Sequence, residues 1–318
     1  MADTPLVTLA DILAARAVTA PQLHRTPLVS SRTLGMRTGT HAWLKVESLQ
    51  KTGSFKPRGV LNALSHLTDE ERSRGVISIS AGNHAQALAW GSAAIGVRCT
   101  MVMPATAVPT KIEATRGYGA EVVLTTADLL ETCLQLQRER QLVLVHPFDD
   151  LRVIAGAATL GLEIMEDAPR IDVVIAGCGG GGLLSGVAAA VKHVSPRTTV
   201  IGVEPRGANA MIQSLAAGQA VRLTSMATIA DGLAAPFAGV RNLAHVQAFV
   251  DEMVEVDDDE IVAAMKFLIE RAKLVAEPAG AAATAALLSG RLRLPPDATV
   301  AVVVSGGNVA PARLKELL

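Results

Sequence analysis

Apolar residues recur along this chain in two rhythms that take turns. Runs of strand length, Val76-Ile77-Ser78-Ile79, Thr100-Met101-Val102-Met103, Glu121-Val122-Val123-Leu124 and Leu142-Val143-Leu144-Val145, are separated by stretches with helical spacing, which predict helices over 83–95 and 129–137. After a turn at His146, Pro147, Phe148, Asp149 and Asp150 the alternation resumes. A helix is expected through 161–165, strands over 172–176 and 200–204 flank a helix over 183–194, and a last strand covers 300–304. Repetition of strand, turn and helix predicts an α/β fold in which a parallel sheet is covered by helices on both faces.

The ends of these elements carry further signals. Thr8 and Asp11 have capping-box spacing, so a first helix starts there and runs toward Pro21. His24 to Leu28 is extended, because the residue before Pro27 avoids the helical region, and Trp43 to Glu47 alternates like a strand. Beyond Lys56 the apolar residues Val60, Leu61, Leu64 and Leu67 fall at helical spacing, which puts Lys56 at a helix N-terminus. Asp257, Asp258, Asp259 and Glu260 precede the periodic Ile261, Val262, Met265 and Leu268, and read as an acidic helix start rather than a metal site.

Composition narrows the function classes. With 318 residues and 50% hydrophobic content, the chain is long enough for two lobes. A net charge of -1 and 3% aromatic residues offer neither a basic face nor a stacking platform, which argues against nucleic acid and acidic membranes as partners. The three cysteines, Cys99, Cys133 and Cys178, lack the spacing of a zinc site or a disulfide framework. The N-terminus has no secretory pattern and no apolar run reaches spanning length, so a cytoplasmic protein with small-molecule partners is expected.

Candidate chemistry concentrates in four turns at strand ends or helix starts, where α/β sheets collect ligands. Lys56, in Ser54-Phe55-Lys56-Pro57-Arg58-Gly59, is either a surface cation or an amine whose pKa burial lowers until it attacks carbonyls. In Ser80-Ala81-Gly82-Asn83-His84, Asn83 can cap the following helix, or the turn can hold a carboxylate; His84 reads as a packed, hydrogen-bonded histidine. The run Gly179, Gly180, Gly181 and Gly182 joins a strand to a helix, so bare amides and the helix dipole suit a phosphate. Gly177, Gly179, Gly182 and Glu204 also fit a dinucleotide fingerprint, which keeps an NAD-dependent oxidoreductase as an alternative. Ser305-Gly306-Gly307-Asn308 adds a hydroxyl at the end of the last strand.

Taken in order, these four motifs resemble the serine/threonine dehydratases among the pyridoxal-phosphate enzymes, which have the tryptophan synthase β-like fold. The resemblance spans nearly the whole chain and implies two lobes, each a mostly parallel twisted sheet flanked by helices. It divides the chain into a large cofactor-binding domain, 1–71 with 150–318, and a small domain, 72–149. By resemblance Lys56 forms a Schiff base with pyridoxal 5'-phosphate, Phe55 belongs to the cofactor site, and Gly179, Gly180, Gly181 and Gly182 hold the phosphate. Asn83 bonds the ring oxygen, Ser305 faces the pyridine nitrogen, and Ser80, Ala81, Gly82, Asn83 and His84 hold the substrate carboxylate. A neutral hydroxyl at the ring nitrogen withdraws electrons moderately, which suits β-elimination from threonine or serine. A homodimer or homotetramer is implied as well.

Departures from the family pattern refine this expectation. Racemases on the same fold tend to carry a serine where this chain has Ala81, so racemisation lacks its opposing acid. Metal-dependent relatives add to the residue at Glu204 a backbone carbonyl four residues on and an aspartate two further; here those positions are Ala208 and Ala210, which puts a divalent ion in doubt. Ala157 and Ala158 stand where relatives have Gln-Gly. The chain ends at Leu318, with no room expected for a C-terminal regulatory domain. Racemases, hydroxyaspartate ammonia-lyases and a hydroxyectoine-pathway dehydratase share the fold and remain alternatives.

Overall fold

A computed structural model describes residues 4–168 and 170–318. Its strands are β1 (Leu28–Ser30), β2 (His41–Val46), β3 (Val76–Ile79), β4 (Cys99–Pro104), β5 (Glu121–Thr125), β6 (Val143–Leu144), β7 (Val173–Gly177), β8 (Thr199–Pro205), β9 (Glu252–Val256) and β10 (Thr299–Val304). They form a six-stranded sheet in the order β1-β2-β10-β7-β8-β9 and a four-stranded sheet in the order β5-β4-β3-β6. Among the described strand pairs only β1 with β2 is antiparallel; the others are parallel.

Alternate residues of the central strands feed separate cores. Val173, Ile175, Val300 and Val302 join one apolar cluster with the helices Asp258–Phe267 and Pro278–Leu288. Val174, Ala176, Ala301 and Val303 join another, beneath Leu151–Asp167 and Gly182–Val194. Burial on both faces makes these strands read as unbroken apolar runs. In the smaller sheet Met101 and Met103 pack on one side with Leu88, while Ile77 and Val102 pack on the other with Cys133.

The predicted helix starts have their partners. Thr8 N donates to Asp11 Oδ2 (2.9 Å) and Asp11 N to Thr8 Oγ1 (3.2 Å). Asp257 and Glu260 close a second capping box, so the acidic run is a helix N-terminus. Other elements left little periodic signal. The helix Pro278–Leu288, PAGAAATAALL, is buried nearly all round and has no polar face to betray its period. Strand β9, at the sheet edge, is partly exposed along most of its length. No described helix is long and apolar enough to cross a membrane.

Two devices fix the helix Lys56–Ser65 on the helix Leu151–Asp167. Glycines at 59 and 156 let the backbones meet, since a Cβ on Gly156 would collide with the Arg58 carbonyl oxygen. Behind them Arg58, 1% exposed, bonds Glu47 Oε2 (2.8 Å) and Glu163 Oε1 (2.8 Å), and Lys45 joins Glu163 at 2.6 Å. Such charges are tolerated inside because each has an opposite partner.

Candidate active site

Lys56 opens its helix with Pro57 just inside, where a missing N–H costs nothing. The preceding loop is laced to the end of β10: Phe55 N donates to Ser305 O (3.1 Å) and Gly307 N to Gly53 O (2.9 Å). Lys56 and Ser305 are thereby brought together from opposite ends of the sequence. Lys56 Nζ donates to the Pro147 carbonyl at 3.0 Å, and no described carboxylate is within ion-pair distance of it. Burial pushes its pKa down to about 8, with the Glu277 carboxylate pulling weakly the other way.

The glycine run follows β7 and opens the helix Gly182–Val194. Gly181 has φ +103°, and a Cβ there would lie 2.6 Å from Asn242 Cβ, so only glycine fits. The N–H groups of Gly179, Gly180 and Gly181 have no acceptor among the described residues. The Gly180 carbonyl is bound, by Gly239 N (3.1 Å) and Asn242 Nδ2 (2.8 Å). The loop is rigid while its donors stay free at a helix N-terminus, an arrangement that receives an anion.

The turn before the helix Asn83–Ala94 corrects one expectation: Gly82 is the N-cap and Asn83 is the first helical residue. One residue inside the helix, Asn83 uses its amide elsewhere. Its Nδ2 donates to Glu277 Oε1 (2.5 Å), and its Oδ1 accepts from Asn308 Nδ2 (2.8 Å). Ser80 Oγ accepts from Gly82 N (3.0 Å). His84 is buried, with Nε2 at 3.0 Å from Ser78 Oγ, whose own proton goes to the Val145 carbonyl at 2.6 Å. Burial first, then Lys56 and His146, hold its pKa well below the ordinary histidine value.

All the expected residues, Phe55, Lys56, Ser80, Ala81, Gly82, Asn83, His84, Gly179, Gly180, Gly181, Gly182 and Ser305, line one cleft of about 800 Å³. Phe148, Glu277, Lys111 and Asp231 line it too, without having been singled out as site residues. Phe148 packs against Gly180 and Gly182; Lys111 and Asp231, from the chain around the two sheets, pair at 2.5 Å. Glu277 stands before Pro278, a helix-start signal that says nothing of a cleft. Ser305 Oγ reaches only a long contact, 3.5 Å, to the Ala279 carbonyl.

The dinucleotide alternative fails at Glu204. This carboxylate is fully buried away from the cleft and accepts the N–H groups of Met211 (2.9 Å) and Ile212 (2.8 Å) at the start of the helix Ala210–Ala217. It holds a helix and leaves no oxygen for a ribose.

A family model described as "Pyridoxal-phosphate dependent enzyme" matches residues 19–306. The chain belongs to this family. Among curated relatives of this pyridoxal-phosphate-dependent enzyme, the L-threonine ammonia-lyase of Thermotoga maritima is 46% identical over 96% of this chain and 76% of its own length. Among solved structures, maize serine racemase matches with a TM-score of 0.94 at 37% identity, covering 98% of this chain and 97% of that one. The threonine deaminase of T.th. matches with a TM-score of 0.90 at 41% identity, covering 95% and 99%. The fold is that of these enzymes, an α/β fold of parallel sheets flanked by helices. The cleft suits the cofactor: unbonded amides at a helix N-terminus can receive a phosphate, an amine with a lowered pKa can attack an aldehyde, and a hydroxyl with one long contact can bond a ring nitrogen.

Proposed function

We propose that this enzyme deaminates a β-hydroxy amino acid, L-threonine or L-serine, by eliminating water and taking it back on hydrolysis, to leave ammonia and a 2-oxo acid. The observation that carries this reading is an amine with a lowered pKa and no carboxylate partner in the same cleft as the free amides of Gly179 to Gly181. In it, Lys56 would hold the cofactor covalently at rest, the glycine amides and helix N-terminus would hold its phosphate, and Asn83 and Ser305 would bond the ring oxygen and the ring nitrogen. Phe55 lines the ring. The bound cofactor supplies an electron sink for the bond at Cα.

The chain's own residues then do the rest. Amides and hydroxyl of the turn 80–84 fix the substrate carboxylate, which orients Cα–H toward Lys56. Lys56 Nζ would take the Cα proton, and its pKa, lowered by burial to about 8, keeps a useful fraction unprotonated at neutral pH. The β-hydroxyl would leave as water with the proton that Lys56 took from Cα, and water returned at Cα would release ammonia and the 2-oxo acid. Relatives and neighbours named for threonine lysis support the substrate class.

The racemase neighbour is the reason to weigh a second outcome at the same site, return of a proton to the opposite face of Cα. Ala81 brings only a methyl group to the place where racemases tend to have a serine. The same reading takes 1–71 with 150–318 as the cofactor-binding domain and 72–149 as the small domain, in a cytoplasmic homodimer or homotetramer. Borohydride treatment of the purified holoenzyme should fix a pyridoxyl group on Lys56, and ammonia should appear stoichiometrically with a 2-oxo acid from threonine or serine. Absence of the pyridoxyl group, or conversion of L-serine to D-serine faster than ammonia release, would overturn the reading.

A further inference from the structure

Asn83 sits in a hydrogen-bonded relay whose direction the chemistry fixes. At one end the Thr52 carbonyl, an acceptor only, takes one proton of the Asn308 amide at 2.7 Å. The second Asn308 Nδ2 proton goes to Asn83 Oδ1 at 2.8 Å. This turns the Asn83 amino group toward Glu277, whose Oε1 accepts it at 2.5 Å. An ionised carboxylate can only accept, so the order is locked from both ends and one Asn83 N–H remains uncommitted in the cleft.

The surroundings are built for this contact. Glu277 is 4% exposed, and its backbone N–H is tied to the Gly306 carbonyl at 3.1 Å. A Cβ at position 306 would collide with Glu277 Oε1 and lie 3.2 Å from Asn83 Nδ2, so glycine there makes the approach available. Glu277 is the N-cap residue of the helix Pro278–Leu288, yet its side chain does not cap that helix. It has given up the usual capping bond for Asn83.

We propose that Glu277 is a positioning residue that holds the Asn83 amide nitrogen, and that its charge sets how strongly this nitrogen donates to the cofactor ring oxygen. The inference rests on the assignment of Asn83 to that oxygen. The Thr52 carbonyl and Asn308 keep the amide in this orientation at either charge, but protonated Glu277 is a weaker acceptor and leaves the second Asn83 N–H a stronger donor. Burial raises the Glu277 pKa to about 7, opposed by the Asn83 bond; Asp231 raises it further, and Lys111 and Lys56 lower it. These are the charged groups that act on it, and the change of charge falls near neutral pH.

The test uses the holoenzyme's visible absorption, which reports the protonation and bonding of the ring oxygen. Wild type should change its spectrum in one step centred near pH 7, and Glu277→Gln should lose that step and bind the cofactor roughly tenfold more weakly. Should Glu277→Gln fold poorly, Asn308→Ala frees the other end of the relay and should alter the low-pH spectrum alone, where protonated Glu277 no longer locks the amide. A wild-type spectrum flat across this range, a step that survives Glu277→Gln, or an unaltered Asn308→Ala spectrum would each overturn the proposal. Borohydride fixation on Lys56 in the same samples separates the outcomes: failure of fixation in wild type sinks the active-site reading, whereas fixation with an unchanged spectrum sinks only the role of Glu277.

Discussion

Lys45 and Lys56 both reach into the protein, one from β2 and one from the start of a helix, and their surroundings differ in kind. Lys45 Nζ, with no exposure, donates to the Thr26 carbonyl (2.8 Å) and pairs with Glu163 (2.6 Å) and Asp167 (3.5 Å). Lys56 Nζ is given one neutral carbonyl and opens on the cleft. Desolvation without a compensating charge favours the neutral amine, which is the reactive form. The contrast shows that burial alone does not make a lysine chemical; the absence of a carboxylate beside it does.

Replacing Lys56 should produce the largest effect in the molecule. Lys56→Ala is expected to lower kcat by at least about a thousandfold, the scale of a lost general base, before counting the lost covalent attachment. Thermal unfolding of the apoprotein should not suffer, because a poorly solvated ammonium is removed. Lys45→Met should do the reverse. It leaves Glu163 and Asp167 short of a cation and is expected to cost about 3 kcal/mol of stability, read from urea unfolding, while the folded enzyme keeps its turnover. A Lys45→Met protein as stable as wild type but inactive would break the contrast.

How far each lysine could be understood from sequence follows from the same physics. Lys56 was conspicuous because Val60, Leu61 and Leu64 placed it at a helix start and because three other turns supplied partners for a cofactor. The central strands were legible from their apolar runs, and the capping residues Thr8 and Asp257 from their spacing. Lys45 and Glu163 carried no such signal, since their pairing joins distant elements that meet only in the fold. Glu277 was hidden for a related reason: the alanine-rich helix it opens has no periodic face, and its contact to Asn83 crosses most of the chain. For Asn83 the sequence left capping and a role in the cleft both open, because a polar residue after Gly82 looks the same in either case; with Gly82 as the N-cap, capping is excluded.

Carboxylates allow the same comparison at a smaller scale. Glu163 lies between Lys45 and Arg58, whereas Glu204 meets only two backbone N–H groups and, at longer range, Glu255. Burial therefore raises the Glu204 pKa from 4.5 to about 8. With the folded value above the unfolded one, the folded state holds the extra proton between them, and stability falls as pH rises through that window. The expected slope is at most about 1.4 kcal/mol per pH unit for this group, with Glu277 adding in the same direction up to about pH 7. Urea midpoints of the apoprotein across this range should decline with pH, and Glu204→Gln should flatten the decline; a stability that rises with pH contradicts the assignment.

The smallest effect is expected at the far end of the Lys45 network. There Arg16 meets Glu166 at 2.5 Å with both side chains about two-fifths exposed, and Glu166 also meets Arg25, which pairs with Asp167. Water solvates these groups in either state, so Arg16→Ala should cost less than about 1 kcal/mol, and the loss should shrink further in high salt. Lys45→Met, at the dry end of the same chain of ion pairs, should be nearly insensitive to salt. Urea unfolding of both single variants and the double variant tests whether the ends are independent. If Arg16→Ala costs as much as Lys45→Met, or if the double variant costs no more than either single, the network acts as one unit, and exposure is then the wrong variable for explaining why Lys45 is structural and Lys56 is not.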